Sequence, residues 1–195
     1  MTLIFREMVD GDYTYFAKWL YFLPLETIMS GGRTGVNREL YQEWYGNNHL
    51  LACGAEQIND EGLWDIIQKA LKPLFVQGVA YDVNRLGGMR HKFEDWYPEK
   101  HFAVFGKPDS LTYPMLKTEG LIQAKKLVWD ENPVTSWCFA NCGIKVVEGH
   151  TRRCMPVRGN EVQKIDGVLS YLNGLKAALL AEDPVRMKDL ESWYD

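Results

Sequence analysis

Along the first two dozen residues the apolar positions are aromatic and β-branched, in two runs from Thr2 to Val9 and from Tyr13 to Leu23 that are broken by Asp10-Gly11-Asp12. Two such runs about a short acidic and glycine turn predict a β-hairpin. Pro24 ends the second run, and Ser30-Gly31-Gly32-Arg33-Thr34-Gly35 is the most loop-like stretch of the chain. Asn37 is placed to cap a short helix from Arg38 to about Tyr45, after which Gly46-Asn47-Asn48 turns into a short strand around His49 to Ala52. The period then becomes helical. Leu63, Ile66, Ile67, Ala70 and Leu71 fall on one face behind a cap at Asn59 or Asp60, and Pro73 closes that helix.

Phe75 to Tyr81 is a short, mostly apolar run that ends on Asp82, the pattern of a buried strand with an acidic C-terminal tip. Helix is expected beyond Val83, strand from His101 to Phe105, and helix from Leu111 to about Lys126 in spite of Pro114. The last strong element begins at Lys164, where Ile165, Val168, Leu169, Leu172, Leu175 and Leu179 mark a buried helical face. Asp183-Pro184 ends it, leaving a short acidic and aromatic tail. Strand and helix alternate without repeats, which predicts an α/β fold. The expected form is one domain over residues 1–182 and a tail over 183–195. A mixed central sheet would have Val76 to Tyr81 among its inner strands and the Lys164 helix packed across it.

Composition narrows the classes without choosing among them. With 195 residues, 46% hydrophobic and 25% charged, the chain resembles an ordinary globular protein. It has no apolar stretch long enough for a membrane span and no secretory leader, so a soluble, cytoplasmic protein is expected. A net charge of -4 argues against holding nucleic acid by bulk positive charge. Between Asn141 and Lys164, however, Lys145, Arg152, Arg153, Arg158 and Lys164 outnumber Glu148 and Glu161 by three. Such a stretch suits either a phosphate-facing loop or a solvated one. Arg85, Arg90, His91 and Lys92 present the same choice, with Glu94 and Asp95 beside them.

Chemistry in layered α/β folds gathers where strands end and helices begin. Asp82 and Asp166 are expected at such places, and two carboxylates from distant parts of a chain can hold a divalent cation. The bland alternatives are a turn residue for Asp82 and a first-turn residue favoured by the helix dipole for Asp166. Cys138, Cys142, His150 and Cys154 form a series of potential zinc ligands, but the spacing is not that of a standard zinc knuckle. Cys138 also falls in an apolar helical stretch where cysteine acts as a small hydrophobe.

Four segments carry a resemblance. Gly78-Val79-Ala80-Tyr81-Asp82-Val83-Asn84-Arg85 resembles the strand and acidic tip of the nuclease domain of tailed-phage large terminases. Asn132 to Asn141 resembles that family's helical segment, Lys164-Ile165-Asp166-Gly167-Val168 its C-terminal acidic motif, and Tyr41-Gln42-Glu43-Trp44 with Leu50-Leu51-Ala52 its upstream pattern. Together they cover roughly Met1 to Leu180. The resemblance implies a ribonuclease-H-like mixed sheet flanked by helices and a metal-dependent endonuclease of the DNA-packaging motor. Its cofactor would be two magnesium or manganese ions, with Asp82 and Asp166 as metal-binding catalytic residues and the third acidic ligand unknown. It implies double-stranded DNA held by Arg85, Arg152, Arg153, Arg158 and Lys164, the terminase small subunit and portal as partners, and the cytoplasm of a bacterial host as the location.

Two departures shape the expectation. The family carries a further acidic residue on a first strand preceding the hairpin, so Met1 is expected to lie downstream of that strand. No Gly-x-x-x-x-Gly-Lys-Ser/Thr occurs in the chain, so the motor's ATPase is not encoded within it. The alternative reading is a catalytically incomplete prophage remnant or a non-enzymatic docking module of the motor.

Overall fold

The hairpin forms as expected: strands β1 (Thr2–Val9) and β2 (Asp12–Trp19) pair antiparallel with Val9 opposite Asp12. The loop is therefore two residues, Asp10 and Gly11, both at positive φ (53° and 82°), the geometry whose twist matches the flanking strands. This computed structural model describes residues 1–84, 86–96, 101–104, 106–147 and 153–181, with backbone alone at 101–103.

The second run does not continue to Leu23. β2 stops at Trp19, and β3 (Phe22–Leu23) leaves to pair in parallel with β4 (Leu51–Ala52). A short helix, α1 (Leu25–Ser30), begins directly after Pro24 and ends on Gly31 in the left-handed conformation. Helix α2 (Arg38–Gly46) lies where the sequence places it, but Asn37 does not cap it. The Asn37 amide instead donates to the Tyr41 hydroxyl and the Val162 carbonyl, both at 3.3 Å, which makes it a buried tie between segments. The cap of α3 (Asp60–Leu71) is Asn59, whose side chain accepts from the Gly62 N–H at 2.8 Å.

A β-α-β unit follows, with β5 (Val79–Asp82) parallel to β6 (His101–Val104) and α4 (Met89–Trp96) between them. Helix α5 (Pro108–Gln123) opens with Pro108 in its first turn and tolerates the buried Pro114 within it. Then come β7 (Leu127–Trp129), α6 (Pro133–Ala140) capped by Asn132, the hairpin β8 (Cys142–Val147) and β9 (Arg153–Arg158), and α7 (Asp166–Leu180). β7 runs parallel to β2, with Tyr15 opposite Leu127, and makes the three-stranded sheet β1-β2-β7 a mixed one. Three residues with a mostly exposed face carry no readable period, which is why this strand is silent in the sequence.

Two expectations need correction. β5 is not an inner strand of one central sheet: it starts at Val79, and it and β6 form a sheet of their own, apart from β1-β2-β7. The basic stretch around Arg153 is no loop, because Arg153 and Arg158 are the two ends of strand β9.

Helix α7 bridges the two sheets. Along one side it follows β1: the Thr2 hydroxyl donates to that of Ser170 at 2.9 Å, and the Arg6 guanidinium reaches the carbonyls of Ala178 and Ala181 at 3.0 and 3.1 Å. Gly174 permits this approach, since a Cβ there would stand 3.2 Å from Ile4. The helix also packs against β5. Its buried residues Val168, Tyr171, Leu172 and Leu175 close the main core with Tyr15, Trp19 and Leu121. A second cluster, Trp64, Ile67, Leu71, Met89 and Phe93, packs α3 on α4.

Candidate active site

Asp82 is the last residue of β5 and Asp166 the first of α7, so each carboxylate stands where a strand or helix meets a loop. Both line one cleft of about 730 Å³ between the two sheets. Asp82 also has its bland role, because Oδ1 accepts the Asn84 N–H at 2.9 Å and closes a local turn. Its other oxygen faces Gly106, where a Cβ would come within 3.5 Å of Oδ2. Asp166 is exposed. Its charge is felt by the Met1 ammonium, whose pKa burial lowers to about 6 against the pull of that carboxylate.

The position of Asp166 rests on a partly buried relay that sequence reading missed. Trp19 Nε1 donates to the Gly167 carbonyl at 2.9 Å, and the Trp19 N–H donates to Asp130 Oδ2 at 2.9 Å. Thr135 donates to Asp130 Oδ1 at 3.4 Å and shares a 3.1 Å hydrogen bond with the Tyr21 hydroxyl. Gly167 is needed for the fit, since a Cβ there would overlap Tyr21 and crowd Cys138. Burial raises the Tyr21 phenol above its ordinary range and pushes the Cys138 thiol up to about 11, so both stay neutral. Asp130 and Thr135 are ordinary cap-region residues by their neighbours. Only the three-dimensional convergence of β2, α6 and α7 reveals their part in seating the first turn of α7.

The basic candidates disperse. Arg85 and Arg152 lie outside the described residues. Arg153 pairs with Asp109 at 2.9 Å, Lys164 donates to the Glu161 carbonyl at 3.0 Å, and Arg158 is exposed at the end of β9. Arg153, Arg158 and Lys164 do not line the cleft that holds Asp82 and Asp166. Near β5, Arg90 pairs with Glu94 at 2.6 Å and Lys92 with Glu61 at 2.6 Å. His150 of the cysteine series is outside the described residues. Cys142 stands opposite Arg158, four residues along β9 from Cys154. At about 3.3 Å per strand residue that puts the two near 13 Å apart, too far to share one ion.

Residues 2–182 match the family described as terminase large subunit, endonuclease domain. The chain belongs to that family. The terminase endonuclease domain is 23% identical over 199 residues to Protein YmfN of Escherichia coli (strain K12), a match that takes in 99% of this chain and 43% of that protein. Its fold is that of the solved HK97 bacteriophage large terminase, with a TM-score of 0.71 and 17% identity over 90% of this chain and 36% of the other. The chain thus spans less than half the length of both relatives. The ribonuclease-H-like α/β architecture expected from the sequence is the one observed. Among the described residues no helix is long and apolar enough to cross a membrane.

Proposed function

We propose that this terminase domain is a divalent-metal-dependent endonuclease that cuts double-stranded DNA for packaging, with Asp82 and Asp166 as the acidic residues of its site. The observation that supports this most is the convergence of those two carboxylates, distant in sequence, on one cleft between the sheets. The donor set fits a hard cation, since both groups offer carboxylate oxygen. A bound magnesium or manganese ion would polarise the phosphodiester and activate water. Asp82 is held by its turn, and Asp166 by the relay beneath Gly167. Arg158 and Lys164, with Arg153 once released from Asp109, would meet the phosphate backbone outside the cleft. Such contacts position DNA without reading its sequence. Packaging partners of the small-subunit and portal kind, and a bacterial cytoplasmic setting, belong to the same proposal.

The second reading, a docking module without activity, is favoured by one observation. Among the described residues no three histidine, cysteine or acidic side chains are grouped to hold a metal. A plasmid-nicking assay separates the two. The expected result is slow cutting that needs manganese, shows little sequence preference, stops in EDTA, and falls to background in both Asp82→Asn and Asp166→Asn. Cutting that continues in EDTA or survives both substitutions would place the site elsewhere, and an inert protein that still binds its packaging partners would favour docking.

A further inference from the structure

The loop between β9 and α7 joins Arg158 to Asp166 and carries Lys164. It is folded on itself: the Asn160 side chain accepts the N–H groups of Val162 and Gln163, both at 3.0 Å, and the Lys164 ammonium donates to the Glu161 carbonyl at 3.0 Å. Those bonds shape the loop but do not attach it to the rest of the domain. Among the described residues, the hydrogen bond that does so comes from Asn37, whose side-chain amide donates to the Val162 carbonyl at 3.3 Å and to the Tyr41 hydroxyl at the same distance.

Asn37 is 6% exposed, so its amide has left water and depends on these acceptors. Such a tie holds only if the backbone beneath it is fixed, and the glycine-rich stretch before it does the fixing. Helix α1 ends on Gly31 at φ 77°, where a Cβ would overlap the Arg38 backbone, so the end of α1 is pressed against the start of α2. The Gly35 N–H then donates to the Gly32 carbonyl at 3.1 Å and the Arg38 N–H to that of Gly35 at 3.2 Å. The most loop-like stretch of the sequence is therefore the mount for Asn37.

Asp166 thus has a separate hold on each side. Behind it, Trp19 grips the Gly167 carbonyl; ahead of it, Asn37 grips Val162. Removing the second hold frees Lys164 and leaves the first turn of α7 in place. We propose that Asn37 is a positioning residue for DNA, which fixes through the Val162 carbonyl the loop that aims Lys164 at the phosphate backbone. The inference rests on the reading of Lys164 as a phosphate contact. A lysine on a fixed loop loses less freedom on meeting a phosphate than one on a mobile loop, so Asn37 raises affinity without touching DNA.

The test is the anisotropy of a fluorescein-labelled DNA duplex with the 195-residue protein in EDTA, over a series of salt concentrations. Lys164→Ala should lower the slope of log affinity against log salt by about one, the loss of a single phosphate contact. Asn37→Leu keeps the shape of the side chain and removes its donors; it should weaken binding roughly fivefold with a similar fall in slope. Combined with Lys164→Ala it should add nothing, because both changes remove the same contact. If Asn37→Leu unfolds, Asn37→Ser carries the same comparison, since serine suits the start of a helix but has no amide to reach Val162. Unchanged affinity in the Asn37 variants, or a loss that adds in full to that of Lys164→Ala, would overturn the proposal. So would a lack of duplex binding by the unmodified protein, which would also remove DNA from the proposed function. Duplex binding without nicking in manganese would remove the nuclease activity alone and leave the role of Asn37 standing.

Discussion

Two apolar clusters face each other across the cleft, and they are closed in different ways. Around Trp19 the main core is sealed by rings and by hydrogen bonds: Trp19 stacks on Tyr171 at 5.8 Å, Phe139 meets both, and the Asp130 relay satisfies the polar atoms that come with them. Around Trp64 the packing is edge-to-face, with Phe93 and Trp96 at 5.0 and 5.2 Å, and its outer members Leu3, Val76 and Val79 stand on the cleft wall. The first cluster is finished within the domain. Among the described residues, the second has its outer members on the wall of the cleft.

The strongest way to break that contrast is to delete the same side chain from each cluster. Leucine-to-alanine changes in cores cost about 2–5 kcal/mol, with the spread set by how far the site can relax. Leu175→Ala, at a fully buried position, should fall near the top of that range, and Leu71→Ala, beside the open cleft, near the bottom. Urea unfolding of the two variants measures it, and equal losses would show that the second cluster is as rigid as the first.

The helix caps give a smaller and more local comparison. Asn132 accepts from the Val134 N–H at 2.9 Å and also donates to the His49 carbonyl at 3.1 Å, whereas Asn59 accepts from Gly62 and stays at the surface of α3. Loss of a cap costs about 0.5–2 kcal/mol. Asn132→Ala should lie at the upper end and Asn59→Ala at the lower, read as shifts in the unfolding midpoint. A reversal would mean that the tie to His49 contributes nothing.

The smallest expected effect is a pH dependence at the exposed rim of the hairpin. The Lys126 ammonium lies 2.5 Å from Asp12 and, with the Tyr13 N–H, lowers the Asp12 carboxyl below its ordinary 3.8. A depressed carboxylate pKa adds stability above the ordinary value, and that share is lost as pH falls through the lowered one. Thermal unfolding from pH 6 to pH 2 should therefore show a slightly shallower acid loss in Lys126→Met. The pair is solvent-exposed, so salt should erase the difference.

The elements legible in the sequence were those with a period long enough to declare itself. The Asp10-Gly11 hairpin, the Leu63 to Leu71 stripe of α3 and the Val168 to Leu175 stripe of α7 follow from local pattern alone. β7 and the β8–β9 hairpin did not, because β7 is three residues long and β8 buries neither face, leaving Ile144 69% exposed. The ends of β5 and α7 were legible as acidic termini, and so was the place of their two carboxylates. The relay through Tyr21, Asp130 and Thr135 was not, since its members share no spacing and meet only when β2, α6 and α7 converge. Nor could any pattern show that β1 and β5 would stand apart across α7.

The bonds that dock α7 on β1 join residues at opposite ends of the described chain: Thr2 and Ser170 are 168 positions apart, and Arg6 and Ala181 are 175. On a ribosome adding roughly 5–20 residues per second, Ser170 follows Thr2 by about 8–34 s. For all of that time the hairpin can form but has no helix to rest on, and its apolar face waits in the open. Long-range closure of this kind makes folding slow and leaves intermediates open to aggregation. Nascent chains stopped before residue 166 should therefore hold chaperones at the hairpin, and release them once α7 has emerged.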